Sequence, residues 1–233
     1  RAAVTFAPGV NEDLAATAIW GTQQLAVMGD ATVDGVYALW YGKGPGVDRS
    51  GDPLKHGNYS GTHPSGGVLV VAGDDHPGKS STIAHHSQQA LAVHSIPTLY
   101  PADVSEFVSM ALLGWAMSRY SGCWVGFKVV NSFHVIRPDA PLPPEGVHFR
   151  GVYAPAQEEA ILRRYKLPLV QRFARANRID RLMFGEPGAR FGIVAAGKAW
   201  HDVRLALRAL GIDEGRARSL GVAVYKIGML WSL

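Results

Sequence analysis

Cysteine, charge and long apolar runs are all scarce in this sequence, and each scarcity excludes something. The one cysteine, Cys123, permits no disulfide framework and cannot by itself hold zinc or an iron–sulfur cluster. No apolar stretch reaches the roughly 18 residues a membrane helix requires, and the opening RAAVTFAPGV lacks the long apolar centre of a secretory signal. A cytoplasmic setting without a membrane partner is therefore expected. Charged residues make up 18% of the chain and the formal net charge is +4, which leans towards anionic ligands without demanding nucleic acid. Apolar bulk is plentiful: 47% of the 233 residues are hydrophobic, enough to bury a core in one large or two small domains.

Glycine is plentiful too, and unevenly spread. YGKGPGVDRSGDPLKHGNYSGT, residues 41–62, holds six glycines between an apolar strand, Gly35 to Trp40, and a short helix expected from Val47 or Pro53 to about His56. Glycine serves where φ must be positive or where backbone must come close to something else, so the stretch is read as a loop lining a binding cleft. Strand, glycine loop, helix is the order found where α/β proteins bind ligands at the carboxyl ends of their strands. Upstream, Ala3 to Ala7 reads as a short strand, and Asn11 caps a helix over Glu12 to Val27. That puts Glu12 in a first turn, where the helix dipole favours a carboxylate whatever its further role.

Val68 to Ala72 is continuously apolar, as in a parallel strand covered on both faces. Its exit, Gly73 to Ser80, matches the phosphate-loop pattern G-x4-G-K-[ST], which leaves a nucleotide-binding reading open. Three features oppose it. Asp74 and Asp75 bring negative charge where an anion would sit, Pro77 removes an amide donor, and neither Trp124 to Val130 nor Phe191 to Ala196 ends in the Asp that would hold Mg²⁺. A second near-match, Gly192 to Lys198, fails because its middle residues belong to a strand and Ala199 cannot bind metal. Histidines 76, 85, 86 and 94 show no zinc spacing, so no metal site is assigned. His76 keeps interest through its neighbours Lys79 and Ser80; His85 and His86 read as ordinary helix residues.

Pro97 to Tyr100 reads as a strand, and Asp103 with Glu106 as a capping-box-like start to a helix ending near Ser118 to Gly122. Val104, Phe107, Val108, Ala111, Leu112 and Trp115 form its expected apolar stripe, and Met110 and Leu113 extend it around. Cys123 to Val130 is the next strand, and a first domain, 1–131, closes there. Residues 132–155, with prolines at 138, 141, 143, 144 and 155, read as an extended connection. A smaller α/β domain, 156–233, follows. It opens with a helix over Ala156 to Asn177 that Pro168 must kink or interrupt, whose arginines 163, 164, 172 and 175, with Arg178 just beyond, read as a solvated face rather than a nucleic-acid surface. A strand at Arg190 to Ala196, a helix at Lys198 to Leu210 with Val203, Leu207 and Leu210 inward, a short helix at 214–220 and a strand at Val222 to Ile227 complete it.

Five blocks in order, PGVNEDLAATAIWGTQQ, WYGKGPGVDRSGD, GGVLVVAGDDHPGKSSTIAHHS, GWAMSRYSG and RFGIVAAGKAWHDVRLAL, resemble the fused-chain indolepyruvate ferredoxin oxidoreductases of the thiamine-diphosphate-dependent 2-oxoacid:ferredoxin oxidoreductase group. The resemblance implies an α/β pyrimidine-binding domain, doubly wound on a mainly parallel sheet and incomplete at its start, followed by a transketolase C-terminal-like α/β domain. It implies that Glu12 contacts N1′ of the aminopyrimidine and shares a proton with it, favouring the imino tautomer. Lys43, Gly44, Pro45 and Gly46 are then expected nearest the cofactor, and Asp75, His76, Lys79 and Ser80 nearest the 2-oxoacid, with Lys79 suited to its carboxylate. Mg²⁺, 4Fe-4S clusters, coenzyme A chemistry and a diphosphate-binding domain belong to the family and have no counterpart here. The chain is therefore expected to be a fragment, inactive alone, of a dimeric enzyme that passes electrons to ferredoxin.

Overall fold

The computed structural model describes residues 4–74, 85–130 and 160–231. The proline-rich connection at 132–155 and the residues Asp75, His76, Lys79 and Ser80 lie outside them.

Two helices and a 3-10 turn surround the first strand. Helix α1 (Glu12–Thr22) is capped by Asn11, whose Oδ1 accepts from the Leu14 amide at 2.8 Å. It stops five residues short of the expected Val27, and only a single 3-10 turn, Leu25–Val27, follows. The reason is Gln23, which is fully buried; its amide group donates to the Val36 carbonyl at 3.1 Å and accepts from the His63 amide at 3.2 Å, and this pulls the chain out of helix. Val4 to Ala7 forms no strand. Val4 and Phe6 stand exposed, with no neighbouring strand among the described residues to pair them.

Strand β1 (Tyr37–Lys43) runs directly into α2 (Gly44–Arg49) and α3 (Gly51–Ser60). The helix expected up to about His56 is present, but it takes in most of the glycine-rich stretch, so the part expected ahead of it as a loop is helical. Its glycines serve close approach: a Cβ at Gly44 would collide with His85, at Gly46 with Glu12, and at Gly57 with the buried Trp124 indole. Only Gly61, at φ +99°, needs the left-handed region, and it ends α3.

Strands β2 (Gly67–Asp74), β3 (Thr98–Leu99) and β4 (Val125–Val130) complete a parallel group, with α4 (Ser87–Val93) before β3 and α5 (Phe107–Ser121) after it. The order β1-β2-β4-β3 fixes where the helices lie. Steps from β1 to β2 and from β2 across to β3 go one way along the sheet, and the step from β3 back to β4 goes the other, so right-handed crossovers place α2, α3 and α4 on one face and α5 on the opposite face. Strand residues alternate accordingly. Ala38, Trp40, Val68, Val70 and Ala72 pack in the core of α1, α3 and α4, while Leu69, Val125 and Phe127 pack beneath α5. The α/β, mainly parallel reading is borne out.

Helix α5 bears out most of its expected stripe, since Met110 is buried and Phe107, Ala111, Leu113 and Trp115 pack against the core, but its inward face is shifted towards small residues. Val108 and Leu112 are exposed, whereas Met110, Gly114, Met117, Ser118 and Ser121 are buried. Gly114 decides this, because its bare α-carbon lets the helix settle on Leu69. Counting only bulky residues misses a seam of small ones.

After residue 160 a π turn, Leu162–Lys166, leads into α6 (Leu167–Ala176), with Pro168 in its first turn. The widened turn accommodates the missing amide, so the expected interruption occurs ahead of the proline. Strand β5 (Arg181–Phe184), not anticipated, then joins β6 (Phe191–Ala196) and β7 (Val222–Ile227) in a second sheet of order β5-β7-β6, with α7 (Lys198–Ala209) and α8 (Glu214–Leu220) between the latter two. Trp200 and Leu207 of α7 are buried; Leu210, expected inward, is exposed just past the helix end. A last unanticipated strand, β8 (Met229–Trp231), pairs antiparallel with β3 and so extends the first sheet. Val170 and Phe173 of α6 and Met229 share one core with α5. Polar contacts join the same parts: Glu106, before α5, binds Lys226 of β7, and His201 of α7 stands 2.8 Å from Asp103. Burial pushes the Asp103 carboxyl up, but the hydrogen bonds from Ser105 and the neighbouring His201 outweigh it and hold it below the ordinary carboxylate range.

Cys123 is fully buried, and burial pushes its thiol up to about 11, so it is chemically quiet. Among the described residues no helix is long and apolar enough to cross a membrane.

Gly57→Ala tests the close-approach role. In an open helix that change adds roughly 1 kcal/mol of stability; here the methyl meets Trp124, and overpacking is expected to remove roughly 1–3 kcal/mol, read as a lower urea midpoint at unchanged slope.

Candidate functional site

The carboxyl ends of β1, β2 and β4 lie at one edge of the sheet, the edge where open α/β folds place their ligands. Lys43 ends β1 and serves as the N-cap of α2, and Pro45 falls in the first turn, where its fixed φ suits the helix and its missing amide leaves nothing unpaired. Gly44 and Gly46 therefore sit on different sides of a helix that starts without side chains. One side receives His85 and the other Glu12.

Glu12 is held from two directions. The indole Nε1 of Trp40, on β1, donates to the Glu12 carbonyl at 2.9 Å and ties the first turn of α1 to the strand. The side chain lies along Gly46, where a Cβ would stand 2.7 Å from Cγ and 3.2 Å from Oε1. The residue is half-buried, and its carboxylate has no hydrogen bond or ion pair with any described residue. A carboxylate placed this way, with a glycine clearing the space beside it, is available to an incoming group.

A buried ion pair links β2 and β4. Asp74, the last residue of β2, is 1% exposed, and its Oδ2 lies 3.2 Å from Nζ of Lys128 on β4. Ser87 donates to Asp74 twice, from its hydroxyl at 2.6 Å and its amide at 3.0 Å. The Lys128 ammonium also donates to Gln88 and lies over the Tyr100 ring, 5.2 Å from its centroid. Burial, with Asp74 adding to it, holds the Tyr100 hydroxyl above its usual range against the pull of Lys198. Asp74 thus joins β2 to the start of α4 and to β4. Within the pattern Gly73 to Ser80, everything beyond Asp74 lies outside the described residues.

Of the residues expected at the cofactor, Glu12 and Gly46 are brought together. Gly44 is buried against His85, on the other side of α2, and Lys43 and Pro45 are exposed. His85 is not a helix residue; it precedes α4, and its Nδ1 stands 3.1 Å from Asp48 Oδ2. Asp48, Asp74, Ser87 and Lys128 were not singled out as site residues. A signal for the buried pair exists: GVLVVAGD and VGFKVV each carry one charge in an apolar run, and neighbouring parallel strands can bury such charges only together. His94, whose buried Nδ1 is unpaired, is lowered by burial and by Lys55. Among the described residues no group of three or more His, Cys, Asp or Glu is placed to hold a metal ion.

The residues fit one edge of a neutral aminopyrimidine. Such a ring requires a carboxyl group without another partner and close backbone approach, and Glu12 with Gly46 offers both. Nothing in this set would hold a diphosphate.

Residues 181–233 match the indolepyruvate oxidoreductase domain family. Solved structures match as well. A 2-oxoglutarate:ferredoxin oxidoreductase from Magnetococcus marinus, with 2-oxoglutarate, coenzyme A and succinyl-CoA bound, superposes with a TM-score of 0.65 at 19% identity, over 97% of this chain and 46% of that one. The chain thus spans about half the length of that relative. No curated protein matches. The two matches bear out the resemblance to the 2-oxoacid:ferredoxin oxidoreductases, and the structural one shows a shared fold.

Removing one member of the buried pair strands the other, at a cost of roughly 3–5 kcal/mol. Asp74→Asn is expected to lose that much in chemical denaturation, and Asp74→Asn with Lys128→Met to recover most of it; equal losses in the two proteins would mean that the pair is not what Asp74 serves.

Proposed function

We propose that this chain forms the aminopyrimidine-binding wall of a thiamine-diphosphate-dependent oxidoreductase that decarboxylates an aryl 2-oxoacid resembling indolepyruvate, makes an acyl-CoA and passes electrons to ferredoxin. The observation that carries the reading is the half-buried Glu12 carboxylate, without a partner among the described residues, seated against Gly46 at the carboxyl edge of a parallel sheet. The family match at 181–233 supports membership of the 2-oxoacid:ferredoxin oxidoreductase group, and the bound 2-oxoglutarate and coenzyme A of the structural relative support the 2-oxoacid and thioester parts.

Thiamine diphosphate, when bound, supplies the electron sink that lets a 2-oxoacid lose CO₂. Glu12 holds a proton at N1′ of the aminopyrimidine and so sets that ring's tautomer. Trp40 and Asn11 fix the turn that carries the carboxyl, and Gly46 keeps the adjacent space open. Residues 1–131 are the pyrimidine-binding domain and 156–233 the transketolase C-terminal-like domain in this reading. Mg²⁺, the diphosphate and the 4Fe-4S clusters are held by other parts of the enzyme, a cytoplasmic homodimer. Asp75, His76, Lys79 and Ser80 are its 2-oxoacid contacts, with Lys79 opposite the carboxylate.

In the natural polypeptide, Glu12→Gln is expected to lower indolepyruvate-dependent reduction of ferredoxin by at least about 10²-fold in kcat, the scale of a lost proton-transfer group. Gly46→Ala, which pushes a methyl against Glu12 Cγ, should act in the same direction. Turnover within about threefold of the parent in Glu12→Gln would overturn the reading.

A further inference from the structure

His85 is more tightly placed than a chance histidine beside a helix. Its Cβ and Cγ fill the space that a side chain at position 44 would take, so α2 can start where it does only because that residue is glycine. Its Nδ1 stands 3.1 Å from Oδ2 of Asp48, one helical turn beyond Gly44 on the same side of α2. Two residues later, the chain is clamped by the amide and hydroxyl of Ser87 on buried Asp74. Backbone, Cβ and one ring nitrogen are each fixed, and the side chain is 16% exposed.

One nitrogen is left over. With Nδ1 occupied by Asp48, no described residue partners Nε2. A carboxylate that orients an imidazole through Nδ1 leaves Nε2 as the nitrogen presented to an incoming group. The helix that His85 packs against is the one whose Gly46 receives Glu12, so the two side chains flank one helix start at the carboxyl edge of the sheet.

We infer that His85, oriented by Asp48, is a further substrate-binding residue: its Nδ1–H donates to Asp48, and the Nε2–H of the same doubly protonated ring donates to an oxygen of the 2-oxoacid; this rests on the reading of this edge as the thiamine-dependent site. Asp48 is in turn a positioning residue. Neither is required to hold the cofactor, so their loss should separate from that of Glu12.

Two near-isosteric variants test it. In His85→Asn the amide nitrogen takes the place of Nδ1 and keeps the link to Asp48, but nothing replaces Nε2; in His85→Gln the amide nitrogen reaches the Nε2 position and the Asp48 link is lost. Measured in the natural polypeptide with indolepyruvate, His85→Asn should raise KM at least about tenfold, the scale of one hydrogen bond to a charged or strongly polar group, with kcat, thiamine diphosphate affinity and melting temperature near the parent values. His85→Gln should recover part of that rise. An unchanged KM in His85→Asn, a KM rise matched by equal loss of cofactor affinity or melting temperature, or a His85→Gln protein worse than His85→Asn would each overturn the inference. A readout without cofactor or turnover is the nitrogen-15 spectrum of histidine-labelled protein: Nδ1 of His85 should carry hydrogen, and a bare Nδ1 would equally overturn it. Because Glu12→Gln loses turnover whichever way His85 behaves, failure here and failure of the thiamine reading are told apart.

Discussion

A helix that begins with bare α-carbons governs the candidate site. Strand β1 passes into α2 without a connecting loop, and this is possible only if Gly44 and Gly46 leave room for His85 and Glu12. Side chains there would push α1 or the segment before α4 away from the sheet edge. The same device recurs where Gly57 admits Trp124 and Gly114 admits Leu69, so the packing on both faces of the first sheet depends on absent side chains at particular points.

The buried Asp74–Lys128 pair gives this edge its rigidity. Two opposite charges taken out of water stay together because separation leaves each unpaired, and here the carboxylate also receives two bonds from Ser87. Their effect is geometric. They tie the ends of neighbouring strands to the start of α4, and so to the stretch carrying His85, while Glu12, across α2, keeps a carboxylate free of partners among the described residues. A rigid frame around an uncommitted acid suits a group that must share a proton with a ligand and not with its neighbours.

The two parts of the chain are bound by more than succession. Strand β8 lies beside β3, α6 packs on α5, and Glu106 and Asp103 reach Lys226 and His201. Polar groups in the turn before α5 act as helix caps and also join the sheets. In Asp103 the two duties are visible together: its side chain accepts from the Ser105 amide and faces His201.

Local physics written along the chain determined much of this protein. Continuous apolar runs marked buried parallel strands, Asn11 marked the start of α1 and thereby put Glu12 in a first turn, and 214–220 and Val222–Ile227 followed from their patterns because nothing distant competes with them. Glycine density marked the right stretch for the wrong reason: sequence cannot say whether a glycine frees φ or admits a neighbour, since the neighbour is distant in sequence, 41 residues away for His85 and 34 for Glu12. The inward face of α5, the early end of α1 at Gln23, the pairing of β8 with β3 and the Asp48–His85 contact were decided only in three dimensions. Each depends on what the rest of the chain brings alongside, and periodicity along one element carries no record of that.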